Sequence, residues 1–137
     1  MALKRLVIST NGEKFYNITK DIRDIVKDQK VNEGIIHLFC MHTSCGLTIN
    51  ESFDPSARED LEQYLKYIAP RNLDFIKHDS EGPDDSPSHM KTMLTAQQLA
   101  IPLEEGELTI GTWQGIYLCE FRDSPKKRTI VIKIIEG

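Results

Sequence analysis

The sequence predicts an α+β fold, a single domain in which mixed or antiparallel sheet packs as a sandwich with about three helices. Runs rich in β-branched and aromatic residues lie near both ends and in the middle, over residues 3–9, 35–43 and 129–135. Two cap-plus-proline pairs, Asp54-Pro55 and Ser86-Pro87, mark helix starts between them. Strands and helices do not alternate strictly. The order β-β-α-β-β-α-α-β-β-β therefore reads as α+β and not as repeated parallel βαβ units.

Taken in order, residues 3–9 form a strand, and the turn signal Asn11-Gly12 with a short strand at 15–18 predicts an opening hairpin. Thr19 is placed to cap a helix carrying Ile22, Ile25 and Val26 at helical spacing, ending near Asn32 or Gly34. Over residues 35–43 the period-two pattern puts His37, Phe39 and Met41 on one face and Leu38, Cys40 and His42 on the other. Leu47-Thr48-Ile49 continues as a strand toward Asn50-Glu51. Asp54-Pro55 opens a helix with Leu61, Leu65 and Ile68 on one face, extended by Tyr64, and Pro70 stops it. Residues 71–85 are loop-like, and Ser86-Pro87 opens a third helix with Met90, Met93, Leu94 and Gln97 at helical spacing. A short strand over 100–103, a turn at Glu104-Glu105-Gly106, a long strand over 107–121 with a break expected near Gly111 or Gly115, and a strand over 129–135 complete the chain.

The chain has 137 residues, the size of one domain spanning residues 1–137. Its net charge of −4 gives no electrostatic footprint for nucleic acid, and the Lys126-Lys127-Arg128 cluster reads as solvated charge. No apolar run approaches the roughly 20 residues that span a bilayer, and the N-terminus lacks the pattern of a secretory signal. The three cysteines, Cys40, Cys45 and Cys119, show neither zinc-finger nor Cys-x-x-Cys spacing. A cytoplasmic location follows as the expectation, with no membrane partner.

Three stretches could carry chemistry. His78-Asp79-Ser80-Glu81-Gly82-Pro83-Asp84-Asp85 is a long carboxylate-rich loop leading into the helix turn that bears His89; a solvated acidic turn is the bland reading. His42-Thr43-Ser44-Cys45-Gly46 places a histidine at a strand end, where it can be a core residue, a ligand or a base. Cys45 invites a nucleophile reading that requires a lowered pKa. In the stretch 111–120, Gln114 and Glu120 share a face with Ile116 and Leu118, so both need partners, and Arg128 is the natural one for Glu120. Without a glycine-rich phosphate loop, the helix starts after Asp54 and Ser86 are the remaining generic anion sites.

Together these stretches resemble the YjbQ-like family, the secondary thiamine-phosphate synthases. The resemblance is carried by the run from His42 to Glu51 with Asp54-Pro55 and Asp60, by His78-Asp79-Ser80-Glu81-Gly82 with Ser88-His89-Met90-Lys91, and by the run from Gly111 to Glu120 with Arg128. Pro83 stands where the family pattern has asparagine, and the position of Cys45 is one the pattern also fills with alanine. The resemblance implies an α+β sandwich, a homotrimer, and a transferase that joins a pyrimidine pyrophosphate to a thiazole phosphate and releases pyrophosphate. A departing pyrophosphate needs its charge neutralised. His42, His78 and His89 are accordingly expected to converge on a divalent metal, zinc or magnesium. Glu51, Glu81 and Glu120 would orient those ligands or act as base. Gln114, Asn50 and Ser44 would bind substrate, and Arg128 its phosphate. The alternatives are a metal-assisted hydrolase of a phosphorylated metabolite and a non-catalytic trimer that binds a metal or small ligand through the same cluster.

Overall fold

The computed structural model describes residues 1–137. Its elements are β1 (Lys4–Thr10), β2 (Lys14–Asn17), α1 (Thr19–Gln29), β3 (Gly34–Cys40), β4 (Cys45–Glu51), α2 (Pro55–Ile68), α3 (Asp85–Thr92), β5 (Gln98–Glu104), β6 (Glu107–Leu108), β7 (Gln114–Glu120) and β8 (Lys126–Glu136). This is the α+β fold expected, and the long strand over 107–121 is broken around Gly111 into β6 and β7. A five-stranded antiparallel sheet, β1-β8-β3-β5-β6, faces a three-stranded antiparallel sheet, β2-β7-β4. Between them lies the main core, built from alternate residues of each strand: Ile36, Leu38 and Cys40 of β3, Ile116 and Leu118 of β7, and Ile130, Ile132 and Ile134 of β8. Ile22, Ile25 and Val26 of α1 close one end of it. The far face of the small sheet packs Phe15, Tyr117, Cys119 and Phe121 against Leu61 and Leu65 of α2.

Local sequence explains several of these elements. Asp54 caps α2 by accepting the Ser56 N–H at 2.9 Å, with Pro55 in the first turn, as the sequence predicts. In β3 the face with Leu38 and Cys40 is buried, and Phe39 and Met41 are exposed. Gly46 is required by a crossing. A Cβ there would lie 1.9 Å from Thr95 Oγ1, because residues 95–97 run over the β3–β4 junction. Leu47 N–H and C=O pair with Ala96, and Cys40 N–H donates to Gln97 C=O.

Other expectations are corrected. The opening hairpin does not form, because β1 pairs with β8 and β2 with β7, in different sheets. Leu6 and Ile8 pack against the main core, whereas Phe15 packs against α2, so two cores pull the strands apart. Thr19 does not cap α1; its hydroxyl accepts the Ile116 N–H instead. That helix ends at a left-handed Lys30, ahead of Asn32 and Gly34. The third helix starts at Asp85, two positions before the expected Pro87 turn, and stops at Thr92. Met93 and Leu94 are therefore exposed, not part of an apolar helix face.

The two sheets are joined at one end by a buried ion pair. Glu120, at the end of β7, is fully buried and receives Nε (2.7 Å) and Nη2 (2.5 Å) of Arg128 on β8. Thr10 of β1 donates to the same carboxylate at 2.5 Å. Removing one partner of such a pair strands a buried charge, at about 3–5 kcal/mol. Arg128→Met should lower urea-unfolding stability by about that amount; a loss within roughly 1 kcal/mol, the scale of an exposed pair, would show that the pair does not hold the sheets together.

Candidate metal centre

The same end of the sandwich carries a cluster of polar side chains that the ion pair positions. Glu120 also accepts the backbone N–H groups of Phe121 and Arg122 at 3.0 and 3.1 Å, which sets the direction of the chain as it leaves β7. Arg122, itself buried, then reaches the N-terminus of α3. Its Nε donates to Asp84 at 2.9 Å, its Nη1 to Asp85 Oδ1 at 2.9 Å, and its Nη2 to the Glu81 carbonyl at 3.0 Å. The left-handed Gly82 (φ +112°) turns the loop so that Asp84 and Asp85 follow in register.

Asp85 is the hub. His78 Nε2 lies 2.9 Å from its Oδ2, and His89 Nε2 lies 3.2 Å from its Oδ1. The two rings sit 5.3 Å apart at 44°. His89 is one helical turn beyond Asp85, the i,i+4 spacing that puts both on one face. Its ring is fixed from behind, because Nδ1–H donates to the Thr43 carbonyl at 2.7 Å. A carbonyl only accepts, so Nδ1 carries a proton, and in the neutral ring Nε2 presents a lone pair to Asp85. One donor atom from each of His78, Asp85 and His89 comes within 4.8 Å of the others. With zinc–ligand bonds of about 2.0–2.1 Å, neighbouring ligand atoms of a tetrahedron stand roughly 3.3 Å apart. The spacings of 2.9 and 3.2 Å, each to a different Asp85 oxygen, are near that, and two imidazoles with a carboxylate are a donor set suited to zinc and similar divalent ions.

The residues expected from sequence fall into three places. His78 and His89 meet. His42 does not join their group; it lines an open groove together with His89, and its Nε2 accepts the Thr129 backbone N–H at 2.8 Å. Glu81 is exposed, and its backbone carbonyl is what Arg122 uses. Glu120, Arg128 and Ser44 form the buried structural network, in which Ser44 Oγ accepts from Arg128 at 2.9 Å and both Glu120 oxygens are taken. Asn50, Glu51 and Gln114 lie at the opposite end of β4 and β7, where Glu51 pairs with Gln114 while Cys45 pairs with Glu120. Six strand steps separate the two ends, roughly 20 Å. There Glu51 accepts from the Phe53 and Asp54 N–H groups, Asn50 from Glu51, and Gln114 from Gly111, all local turn contacts. Cys45 is fully buried, and its hydrogen bond to Cys40, with burial, pushes its thiol far up, which removes it as a nucleophile. Asp85 and Arg122 were not among the expected site residues. Asp85 had a signal, its i,i+4 spacing to His89; Arg122 had none, since its partners lie 37 and 38 residues away.

A two-sheet α+β protein with a His–Asp–His group at one end of the sandwich is thus the class that fold and site define. The chain belongs to the family described as UPF0047 protein YjbQ-like, whose model matches residues 4–137. It is 39% identical to UPF0047 protein YjbQ of Escherichia coli over 129 residues, 93% of each chain. It is 34% identical to UPF0047 protein YugU of Bacillus subtilis, over 97% of this chain and 98% of that one. A conserved hypothetical protein from Thermus thermophilus superposes with a TM-score of 0.86 at 36% identity, covering 96% of this chain and 99% of that one.

Asp84 gives the site an acid limit. Burial alone would raise its pKa, but the Asp123 N–H and the Arg122 guanidinium outweigh that and hold it below the ordinary 3.8. A carboxyl that binds its proton less readily in the folded chain stabilises the fold above its unfolded pKa, and this is lost as pH falls through the native value. Wild-type stability should therefore drop as pH falls below about 4, and Asp84→Asn should flatten that drop in urea titrations. An unchanged acid limb in Asp84→Asn would show that Arg122 does not depend on this carboxylate.

Proposed function

We propose that this protein is a divalent-metal-dependent enzyme acting on a phosphorylated small molecule, with His78, Asp85 and His89 holding the metal. The observation that carries the reading is the fixed ring of His89. With Nδ1–H committed to Thr43, its Nε2 faces a carboxylate oxygen at 3.2 Å, an arrangement that calls for a cation or a proton between them. Two imidazoles and one carboxylate leave positions open for substrate, the pattern of catalytic rather than structural zinc. A bound divalent ion would supply neutralisation of phosphate charge. The chain's own groups supply the rest: Arg122 orients Asp85, the Thr43 carbonyl orients His89, and Glu81 is a free carboxylate on the His78 loop.

The family resemblance favours one member of this class, a thiamine-phosphate synthase-type transfer with pyrophosphate departing, since charge neutralisation is the requirement it shares with this site. The exposure of His78, 61% of its side chain, favours a second reading, in which the group binds a metal or small ligand without chemistry. We infer also that copies of the chain associate as a homotrimer. Val7, Ile35, Phe39 and Ile135 are exposed apolar side chains on the outer face of the large sheet, with His37 and Lys133 between them, a face that a neighbouring chain would cover. Three unpaired, buried cysteines accord with a reducing cytoplasm.

Metal analysis of tag-free protein should find about one zinc per chain in the wild type and in His42→Ala, and little in His78→Ala or His89→Ala. Absence of metal from zinc-exposed wild type would overturn the proposal. Metal-dependent pyrophosphate release from a pyrimidine pyrophosphate and a thiazole phosphate separates transferase from binder. For the assembly, light scattering should give three chains of 15.7 kDa for the wild type and a smaller species for Phe39→Glu; a wild-type monomer would exclude the trimer.

A further inference from the structure

His42, Thr43, His89, Thr92, Met93 and Gln97 bound an open groove of about 620 Å³ beside the His–Asp–His group, within the range of small-molecule sites. None of the six is acidic. We propose that this groove is the subsite for a phosphoryl oxygen of the substrate, and that His42 binds that oxygen through a fixed Nδ1–H donor instead of serving as a metal ligand. The inference deepens the function proposed above and rests on its assignment of the neighbouring metal group.

The argument starts from a backbone amide. Thr129 N–H can only donate, so His42 Nε2, 2.8 Å away, must hold a lone pair. In a neutral imidazole the proton is then on Nδ1. Burial, and secondarily the Arg128 charge, lower the His42 pKa below 6.5, which keeps the ring neutral at pH 7. Nδ1 has no hydrogen-bond partner in the protein and is not among the buried unpaired atoms, so its N–H is open to a ligand. His42 is thereby excluded as a ligand through either nitrogen: Nε2 is occupied, and Nδ1 carries the proton.

The rest of the groove suits the same ligand. His89 also lines the groove, so the metal group borders it together with His42. Thr92 is buried, and its hydroxyl, closed to solvent, contributes no open donor to the groove. Met93, 79% exposed, lines the rim with an apolar side chain against which the body of an organic phosphate can rest. A cation would meet no carboxylate in this lining.

Two substitutions separate the two faces of the His42 ring. Glutamine places an oxygen where Nε2 stands, so His42→Gln keeps the acceptor for Thr129 and loses the Nδ1 donor. Asparagine places an N–H near Nδ1, so His42→Asn keeps the donor. The full-length, zinc-loaded protein, with ¹⁵N-labelled histidine, is titrated with phenyl phosphate and separately with inorganic phosphate. The imidazole nitrogens of wild-type His42 should report the Nδ1–H tautomer, and that N–H should shift as phenyl phosphate binds. Affinity should fall roughly tenfold or more in His42→Gln, the loss expected for a hydrogen bond to a charged acceptor, with zinc content unchanged, and should be largely retained in His42→Asn. Tighter binding of phenyl phosphate than of inorganic phosphate identifies an organic phosphate as the ligand; equal binding assigns the groove to the free anion. An Nε2–H tautomer, no binding of either probe to the wild type, or wild-type affinity in His42→Gln overturns the inference. Zinc content, measured on the same samples, tells that failure from failure of the metal assignment. The tautomer of the wild type decides the matter even if a variant does not fold.

Discussion

Everything at the working end of this protein hangs from the Glu120 carboxylate. It is fully buried, and five hydrogen bonds converge on it: two from Arg128, one from Thr10, and one each from the Phe121 and Arg122 backbones. A buried charge is tolerated only when it is saturated in this way. Because Glu120 belongs to the small sheet, and Arg128 and Thr10 to the large one, the requirement to satisfy one charge fixes the two sheets relative to each other. The same carboxylate holds the first two residues after β7, and so decides where Arg122 begins.

From there the arrangement propagates by charge-assisted hydrogen bonds. Arg122 is held against Asp84 and Asp85, Asp85 faces two imidazoles, and one of these is fixed by the Thr43 carbonyl on the β3–β4 loop. A second route, through backbone hydrogen bonds, locks the same parts together. Gly46 leaves room for residues 95–97 to pair across the ends of β3 and β4, which draws the end of α3 over the loop that carries His42 and Thr43. Asp85 and His89 thus sit on a helix whose support from Arg122 is buried, the condition for holding a metal or a substrate at defined geometry.

Much of the fold is legible in the sequence because its signals are local. Asp54-Pro55 reads as a helix start since cap and proline act within one turn, and the faces of β3 follow from alternation alone. The opening hairpin was misread because Asn11-Gly12 is a turn signal that says nothing about which sheet each flanking strand joins. Of the site, His78 and His89 were legible as histidines flanking a polar loop. The position of His42 was legible, but its role was not: which imidazole nitrogen is free depends on Thr129, 87 residues away. The resemblance implies that Glu51 orients the histidines or acts as base and that Asn50 and Gln114 bind substrate, yet an antiparallel strand of seven residues carries its two ends to opposite sides of the molecule.

The central claim is that two imidazoles and the Asp85 carboxylate, supported by Arg122, form a metal centre from which His42 and the cysteines are absent. X-ray absorption at the zinc edge of the loaded protein tests it most directly. The account predicts a first shell of nitrogen and oxygen near 2.0–2.1 Å, with outer-shell scattering from two imidazoles and no sulfur. A shell with sulfur near 2.3 Å, or with scattering from three imidazoles, would contradict it.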